Sequence, residues 1–247
     1  MIAERLCVVG SVIVAALEAE LGVSSMTVRR DLLALERAGL AQRTYGGAVA
    51  PDPARYERSF QSRLRQAAQA KERLGDAASA LVADRETLFV DSSTTAYVAV
   101  GSLLAARRRM TVLTNSVPVM ELVARSDAPE TPLIGLAGSL RKATRSFVGP
   151  QTIEAIGRHF ADKLLFSVTG IGGRGLTEAD PLEAEVKRAM AGRSRDTVLL
   201  LDGSKFERIG AGGVADLHAV GTALVVDVAP ERLAPLRAAG IRIEEAP

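Results

Sequence analysis

Two groups of residues have types and spacings that suit chemistry. The first is Ser25-Met26-Thr27-Val28-Arg29-Arg30, with Arg43-Thr44-Tyr45-Gly46-Gly47 a little further on. Arginine can form paired hydrogen bonds to a guanine edge, and threonine can meet a phosphate or a thymine methyl. The second group is scattered: Asp91-Ser92-Ser93-Thr94-Thr95, Thr114-Asn115-Ser116, Gly138-Ser139-Leu140-Arg141, Thr169-Gly170-Ile171-Gly172, Lys187-Arg188 and Asp202-Gly203-Ser204-Lys205. Hydroxyls and free backbone N–H groups at a helix start, with lysines nearby, suit a phosphate because donors and helix dipole both face the anion.

The elements that must position the first group are legible from periodicity. Ser11 to Leu21 predicts a helix, with Val14, Leu17 and Leu21 on one side. Gly22-Val23-Ser24 predicts a tight turn in which Gly22 takes a left-handed conformation and Ser24 caps the next helix. Ser25 to Ala38 predicts that second helix, with Val28, Leu32 and Leu35 as its core stripe and Gly39 as its end. Leu40 to Tyr45 and Ala48-Val49, joined by Gly46-Gly47, predict a hairpin. Helix, short turn, helix and hairpin make a winged helix-turn-helix. With Val28 buried, Ser25, Thr27, Arg29 and Arg30 sit at the start of the recognition helix, the part that meets base edges. Arg43 and Tyr45 would lie along the DNA backbone. The plainer alternative is a small helical surface with solvated arginines.

Two prolines in Ala50-Pro51-Asp52-Pro53 mark a linker. Beyond it, short apolar strands alternate with helices. The predicted strands are Thr87–Asp91, Met110–Leu113, Pro132–Leu136, Leu164–Val168, Val198–Leu201, Ala223–Val226 and Ile241–Ile243; the helices include Lys71–Val82, Val117–Arg125, Pro150–Ile156, Leu182–Ala191 and Pro230–Ala239. This pattern predicts an α/β domain with a mainly parallel sheet covered on both faces. The polar loops of the second group come after successive strands, and ligands of open parallel sheets bind outside the strands' carboxyl ends. One crevice lined by hydroxyls, an amide and cations is expected. The alternative is that one Ser or Thr caps each helix and the rest are turn residues.

Lysine is rare, five against 26 arginines, so Lys205 just after a strand reads as a phosphate counter-charge. Lys187 reads either as a second one or as a solvated helix residue. Arg107-Arg108-Arg109 reads as a solvated loop, and Gly170 to Gly175 lacks the spacing of a dinucleotide fingerprint. Glu178, Asp180, Glu183 and Glu185 read as an acidic helix start, with room for one sugar-hydroxyl acceptor among them.

Composition excludes other classes. With only His159, His218 and Cys7 there are too few soft ligands for a zinc cluster, and no metal or cofactor is expected. The lone cysteine, with no apolar run long enough to span a bilayer and no signal-peptide pattern, points to a cytoplasmic protein. Net charge is only +2, and residues 66–247 balance at 22 against 22, so a nucleic-acid partner rests on where the arginines sit.

Gly22-Val23-Ser24-Ser25-Met26-Thr27-Val28-Arg29-Arg30-Asp31-Leu32, Leu35-Glu36, Gly39-Leu40 and Arg43-Thr44-Tyr45-Gly46-Gly47-Ala48 together resemble the DeoR family of bacterial transcriptional regulators. Asp91–Thr95, Thr114–Ser116, Lys187–Met190 and Asp202–Phe206 resemble that family's effector domain, whose fold is similar to that of ribose-5-phosphate isomerase. The resemblance implies a DNA-binding domain over 1–52, a connecting segment over 53–70 and a sugar-phosphate-binding domain over 71–247. It implies a repressor of carbohydrate genes that binds operator DNA as a homodimer or homotetramer, tuned by a phosphorylated sugar held by Asp91, Ser92, Ser93, Thr94, Thr95, Asn115, Ser116, Arg141, Lys187 and Lys205. Thr169 and Ser139 depart from the family's usual Asp and Gly. Only nine residues precede Gly10, so either the true start lies upstream or the first helix is shortened, with Cys7 and Val8 in its core. An enzyme, an isomerase using Asp91 or Asp202 as base, is the alternative; a DNA-binding module with a vestigial effector site is a third.

Overall fold

The computed structural model describes residues 2, 5–6, 11–37, 41–44, 46–49, 60–128, 131–172 and 175–247. The chain divides into two compact units, Met1–Arg58 and Ser59–Pro247.

The first unit is built from β1 (Ser11–Ile13), α1 (Val14–Leu21), α2 (Ser25–Arg37), β2 (Gln42–Thr44) and β3 (Gly47–Val49). Gly22 ends α1 in the left-handed region (φ 63°), and its N–H returns to the Glu18 carbonyl. Periodicity alone extends α1 back to Ser11. Instead Ser11–Ile13 is extended and pairs antiparallel with β3, giving a three-stranded sheet in the order β1-β3-β2. Val12 alone of the three is buried, the period of a strand rather than a helix. Strand β3 can approach because position 47 is glycine: a Cβ there would stand 1.8 Å from the Val12 carbonyl oxygen. Leu6, Val12, Leu17, Val28, Leu32 and Ala48 form the core. Ile2, Arg5 and Leu6 are helical, while Cys7 and Val8 lie outside the described residues.

The second unit opens with α3 (Phe60–Arg65) and α4 (Ala68–Leu81). Then come β4 (Glu86–Val90), α5 (Thr94–Ala105), β5 (Met110–Thr114), α6 (Val117–Ala124) and β6 (Leu133–Gly135). A hairpin, β7 (Ser139–Arg141) and β8 (Ser146–Val148), precedes α7 (Pro150–Gly157) and β9 (Ala161–Phe166). Strands β10 (Gly170–Gly172) and β11 (Gly175–Glu178) lead to α8 (Pro181–Ala191) and β12 (Ser194–Asp202). The chain ends with β13 (Gly212–Ala215), β14 (Thr222–Val226), α9 (Ala234–Ala238) and β15 (Arg242–Glu245).

Seven strands form one sheet in the order β15-β14-β12-β9-β4-β5-β6, with every pairing parallel. Alternate residues feed opposite faces. Leu88, Val90, Leu165, Val198 and Leu200 pack with α4, α5 and α6, while Phe89, Leu164, Phe166, Leu199 and Leu201 pack with α7, α8 and α9. Strand order runs outward from β4 to β6, then resumes on β4's other side at β9. The order therefore reverses between β4 and β9, and a crevice at the strands' carboxyl ends is expected there.

Three antiparallel pieces leave no clear pattern in the sequence: the β7–β8 hairpin and the two pairings of the β10-β11-β13 sheet, which takes in Gly170–Gly172 and is interleaved along the chain with α8 and β12. Gly138-Ser139-Leu140-Arg141 is accordingly part strand, not a simple loop. The last helix is split, a 3-10 turn at Pro230–Leu233 preceding α9, and β15 begins one residue later than expected.

Phe89 is fully buried in the sheet's centre, whereas Leu140 is 54% exposed. Phe89→Ala should lower the unfolding free energy by about 3–5 kcal/mol. Leu140→Ala should change it by less than about 0.5 kcal/mol. Urea titrations of the two variants beside the parent chain check both.

Candidate functional site

In the first unit, Ser24 caps α2: its Oγ accepts from the Thr27 N–H at 3.4 Å and lies 3.1 Å from Thr27 Oγ1. Val28 turns inward and is fully buried. Arg29 and Arg30 are exposed, with Arg30 Nε 3.8 Å from Asp31, while Ser25 and Thr27 are half-buried at the helix start. Arg43 is exposed on β2, and its N–H donates to Glu36 Oε1 at 3.0 Å, tying wing to helix. Tyr45 lies outside the described residues. Met26, to which its residue type assigns no chemistry, is 79% exposed beside Thr27, so an apolar side chain accompanies the arginines.

In the second unit, the reversal between β4 and β9 is bridged by charge. Lys187, projecting from α8, is buried and donates to Asp91 Oδ2, to the Ser167 carbonyl at 2.7 Å and, at 3.2 Å, faces Glu178 Oε2. Burial opposes its charge, but Asp91, Glu178 and Glu183 outweigh burial and raise its pKa. Glu178 is likewise opposed by burial, yet Lys187, the Thr169 hydroxyl and the Ala179 N–H hold it below the ordinary carboxylate range. Asp91 also accepts from the Ser93 N–H at 3.0 Å, the Ser93 hydroxyl at 2.5 Å and the Ser167 N–H at 3.3 Å.

These contacts correct two sequence readings. Lys187 is neither solvated nor open to a phosphate, because carboxylates and a carbonyl already take its protons. Nor is 178–185 merely an acidic helix start. Asp180 caps α8 and pairs with Arg141 at 2.9 Å, but Glu183 is buried and accepts from the Ser92 hydroxyl at 2.7 Å and from that of Ser146. Several expected phosphate donors are thus committed internally. Ser92 serves Glu183; Ser93 and Ser116 cap α5 and α6. Asn115 Nδ2 donates to the Phe147 carbonyl at 2.8 Å, which leaves its buried Oδ1 without a partner. That end of the amide is an acceptor, suited to a hydroxyl rather than a phosphate oxygen.

Beside this saturated cluster lies one with an excess of cations. Lys71, on α4, is buried and donates to the Gln66 carbonyl at 2.6 Å and to that of Arg63. Burial, then Lys205, then Arg63 push its pKa down to about 8 against the pull of Asp202. Lys205 is lowered too, first by burial and then by Arg208 and Arg63, against Asp202 and Glu178. Arg63 Nε and Nη2 are buried and have no hydrogen-bond partner. Thr94 and Thr95, buried at the start of α5, make no side-chain hydrogen bond among the described residues. Arg107, Arg108 and Arg109 line a separate surface cleft of about 540 Å³ with Asp127 and Thr131; Arg109 pairs with Asp84 at 2.7 Å.

The amino-terminal residues 1–54 match the family model of the DeoR-like helix-turn-helix domain, and residues 66–228 match that of the DeoR C terminal sensor domain. The chain belongs to the DeoR family. It is 34% identical over 185 residues to the HTH-type transcriptional repressor GlcR of Bacillus subtilis (strain 168), spanning 75% of this chain and 70% of that protein. It is 29% identical over 246 residues to the putative aga operon transcriptional repressor of Escherichia coli O157:H7, spanning 98% and 90%. Among solved structures it is similar to ribose 5-phosphate isomerase A from Neisseria gonorrhoeae, 15% identical with a TM-score of 0.42 over 56% of this chain and 53% of that one. Among the described residues, no helix is long and apolar enough to cross a membrane, and no cluster of His, Cys, Asp or Glu could hold a metal ion.

Sequence reasoning about this DeoR-family regulator misses Lys71 and Arg63 as members of the site, and it reads Glu178 and Glu183 as part of an acidic helix start with one possible sugar-hydroxyl acceptor, not as partners of Lys187, Ser92 and Ser146. A signal is present for two of them. Lys71 shares the buried stripe of Leu74 and Ala78, and Glu183 that of Val186, Lys187 and Met190, where a charge calls for a partner.

These charges set two expected outcomes. Lys187→Met should destabilise the fold by about 3–5 kcal/mol, because it leaves Asp91 and Glu178 buried without their cation; a denaturant titration measures it. Lys71 has a folded pKa of about 8 against an ordinary 10.5. Between those values the unfolded chain binds more protons than the folded one, so this group makes stability rise as pH increases through that window. Paired titrations at several pH values should show that contribution in the parent chain and not in Lys71→Met.

Proposed function

We propose that this chain is a transcriptional repressor of carbohydrate genes whose operator affinity is set by a phosphorylated sugar. The observation that carries the effector half is the cationic cluster of Arg63, Lys71 and Lys205, in which the Arg63 guanidinium lacks partners for two of its nitrogens. A dianionic phosphate supplies the missing acceptors, and the Thr94 and Thr95 hydroxyls at the start of α5 suit its remaining oxygens. The unpartnered Asn115 Oδ1 accepts from a sugar hydroxyl. Of the residues that the sequence suggests as phosphate ligands, Asp91, Ser92, Ser93, Ser116, Arg141 and Lys187 are already engaged by partners within the protein. The names of the relatives from Bacillus subtilis and Escherichia coli, repressors in both cases, support the regulatory reading.

The DNA half rests on the exposed Arg29 and Arg30 at the start of α2, with Thr27 and Met26 beside them and Arg43 on the wing. One such helix reads a half-site, so a homodimer or a higher symmetric oligomer on paired half-sites is the matching assembly. The isomerase reading needs a general base free to take a proton. Asp91 already accepts from Ser93, Ser167 and Lys187, and Asp202 Oδ1 accepts from the Ser204 N–H at 2.8 Å. These commitments support binding without turnover.

Thermal unfolding against a panel of sugars and their phosphates tests the effector half. A ligand at about 100 times its dissociation constant stabilises by about 2.7 kcal/mol, several degrees for a chain of this size. A phosphorylated sugar should raise the midpoint, its unphosphorylated parent should not, and Lys205→Ala should abolish the shift. Equal shifts from both sugars would remove the phosphate reading. For the DNA half, Arg30→Ala should weaken binding to the region upstream of the chain's own gene by about 1–3 kcal/mol and relax its sequence preference. Arg43→Ala should weaken all sequences alike, as a backbone contact does.

A further inference from the structure

Helix α3 is six residues long, too short to persist by itself. It is held to the second unit at three points. Phe60 is buried with its ring edge-on to Tyr97 of α5, centroids 5.3 Å apart at 87°. The Phe60 N–H donates to the Ala143 carbonyl at 3.1 Å, in the turn of the β7–β8 hairpin. At the other end, the Lys71 ammonium caps the helix by donating to the carbonyls of Arg63 and Gln66.

The third attachment is also part of the cationic cluster. Lys71 feels the charges of Lys205, Asp202 and Arg63, and the Arg63 guanidinium, carried by α3 itself, has two buried nitrogens without acceptors. Like charges on α3 and on the body of the unit oppose its docking, and the two buried guanidinium nitrogens of Arg63 that lack acceptors add to that opposition. An anion lying between Arg63 and Lys205 reverses the sign of the interaction. It satisfies the guanidinium and relieves the repulsion felt by Lys71, whose ammonium caps the same helix.

We infer that α3 is a latch closed by the effector: an anion held by Arg63 and Lys205 fastens this helix onto the sensor unit. The inference rests on the reading that a phosphate binds at this cluster. Helix α3 is the first described element of the sensor unit in chain order, beginning two residues after the DNA-binding unit ends. Docking of α3 therefore converts occupancy of the site into a change in where the connecting chain is anchored, the two-state element that linkage between sites requires.

Hydrogen exchange of the full chain, followed by mass spectrometry on peptides covering 60–67 and 150–157, tests it. The probes are inorganic phosphate, ribose 5-phosphate and glucose 6-phosphate, each with a thermal midpoint measured in parallel. A probe that raises the midpoint should slow exchange across 60–67 by roughly 5- to 150-fold, the usual span of coupling between sites, and leave 150–157 unchanged. At saturating probe, Arg63→Gln should show no added protection of 60–67, and Arg63→Lys, which keeps the charge, should recover part of it. A raised midpoint with unchanged exchange at 60–67 overturns the latch and leaves the site. Equal protection in Arg63→Gln also overturns it. If none of the three probes raises the midpoint, the site reading falls and the latch with it.

Discussion

The sensor unit is organised around the ion pair between Lys187 and Asp91, which spans the place where the sheet's strand order reverses. Burying two charges costs several kcal/mol each unless every proton and lone pair finds a partner. Here the ammonium has Asp91, Glu178 and the Ser167 carbonyl, and Asp91 has the Ser93 N–H and hydroxyl and the Ser167 N–H besides. One pair thereby fixes the loop after β4, the loop after β9, the end of β11 and the buried face of α8. Glu183, one turn before Lys187, extends the network through Ser92 and Ser146 to the β7–β8 hairpin. The carboxyl end of the sheet is consequently stiff on this side, and its hydroxyls are structural.

Stiffness on one side gives meaning to the imbalance on the other. Asp202 draws on both Lys71 and Lys205, while Glu178, which also feels Arg63 and Lys205, is already bound to Lys187 and Thr169. Asp91, Glu178 and Glu183 are allotted to the saturated network around Lys187. What remains is a local excess of positive charge in a low-dielectric setting, where an anion gains far more than it would at the surface. The proposed phosphate site takes the charges that are left over once the fold has used the others.

The sheet and the helix-turn-helix are legible in the sequence because they rest on local periodicity. Strands β4, β5, β9, β12 and β14 each contain a short buried apolar run, and α2 carries its core at Val28 and Leu32. Legibility falls where tertiary pairing decides. Ser11–Ile13 precedes a helical stripe and carries two apolar residues, Val12 and Ile13, that either element would accept; pairing with β3, some 35 residues away, makes it a strand and buries Val12 alone. Strands β7 and β8 have three residues each, too few to show a period. For α3 no pattern can serve, since six residues held by one aromatic contact and a distant lysine leave no trace in their own spacing. The charged site residues are hard to place for a related reason. A helical stripe of apolar residues implies burial of everything on it, yet the charges of Lys71, Glu183 and Lys187 on such stripes suggest surface roles until their partners are seen.

The scarcity of lysine is itself informative once the burial of each is known. Arginine supplies 26 of the 31 basic residues and most of the exposed cations, yet Lys71 and Lys187 are buried, Lys163 is largely buried against Glu86, and Lys205 is half-buried; only Lys142 is exposed. An ammonium is compact and points three protons at acceptors that need not be coplanar, whereas a guanidinium requires a flat, wider space and five acceptors. Lys187 gathers two carboxylates and a carbonyl from three different elements, and Lys71 gathers two carbonyls from the end of a helix, arrangements that a planar fork does not meet. In a chain that otherwise uses arginine for positive charge, lysine stands where the interior fixes the shape of the cation. The one strongly unsatisfied cation of the cluster is an arginine, Arg63, whose fork suits the paired oxygens of a phosphate. In the proposed site the two residue types share the work: Lys71 and Lys187 hold the sensor together through acceptors fixed by the interior, and Arg63 joins Lys205 in facing the anion.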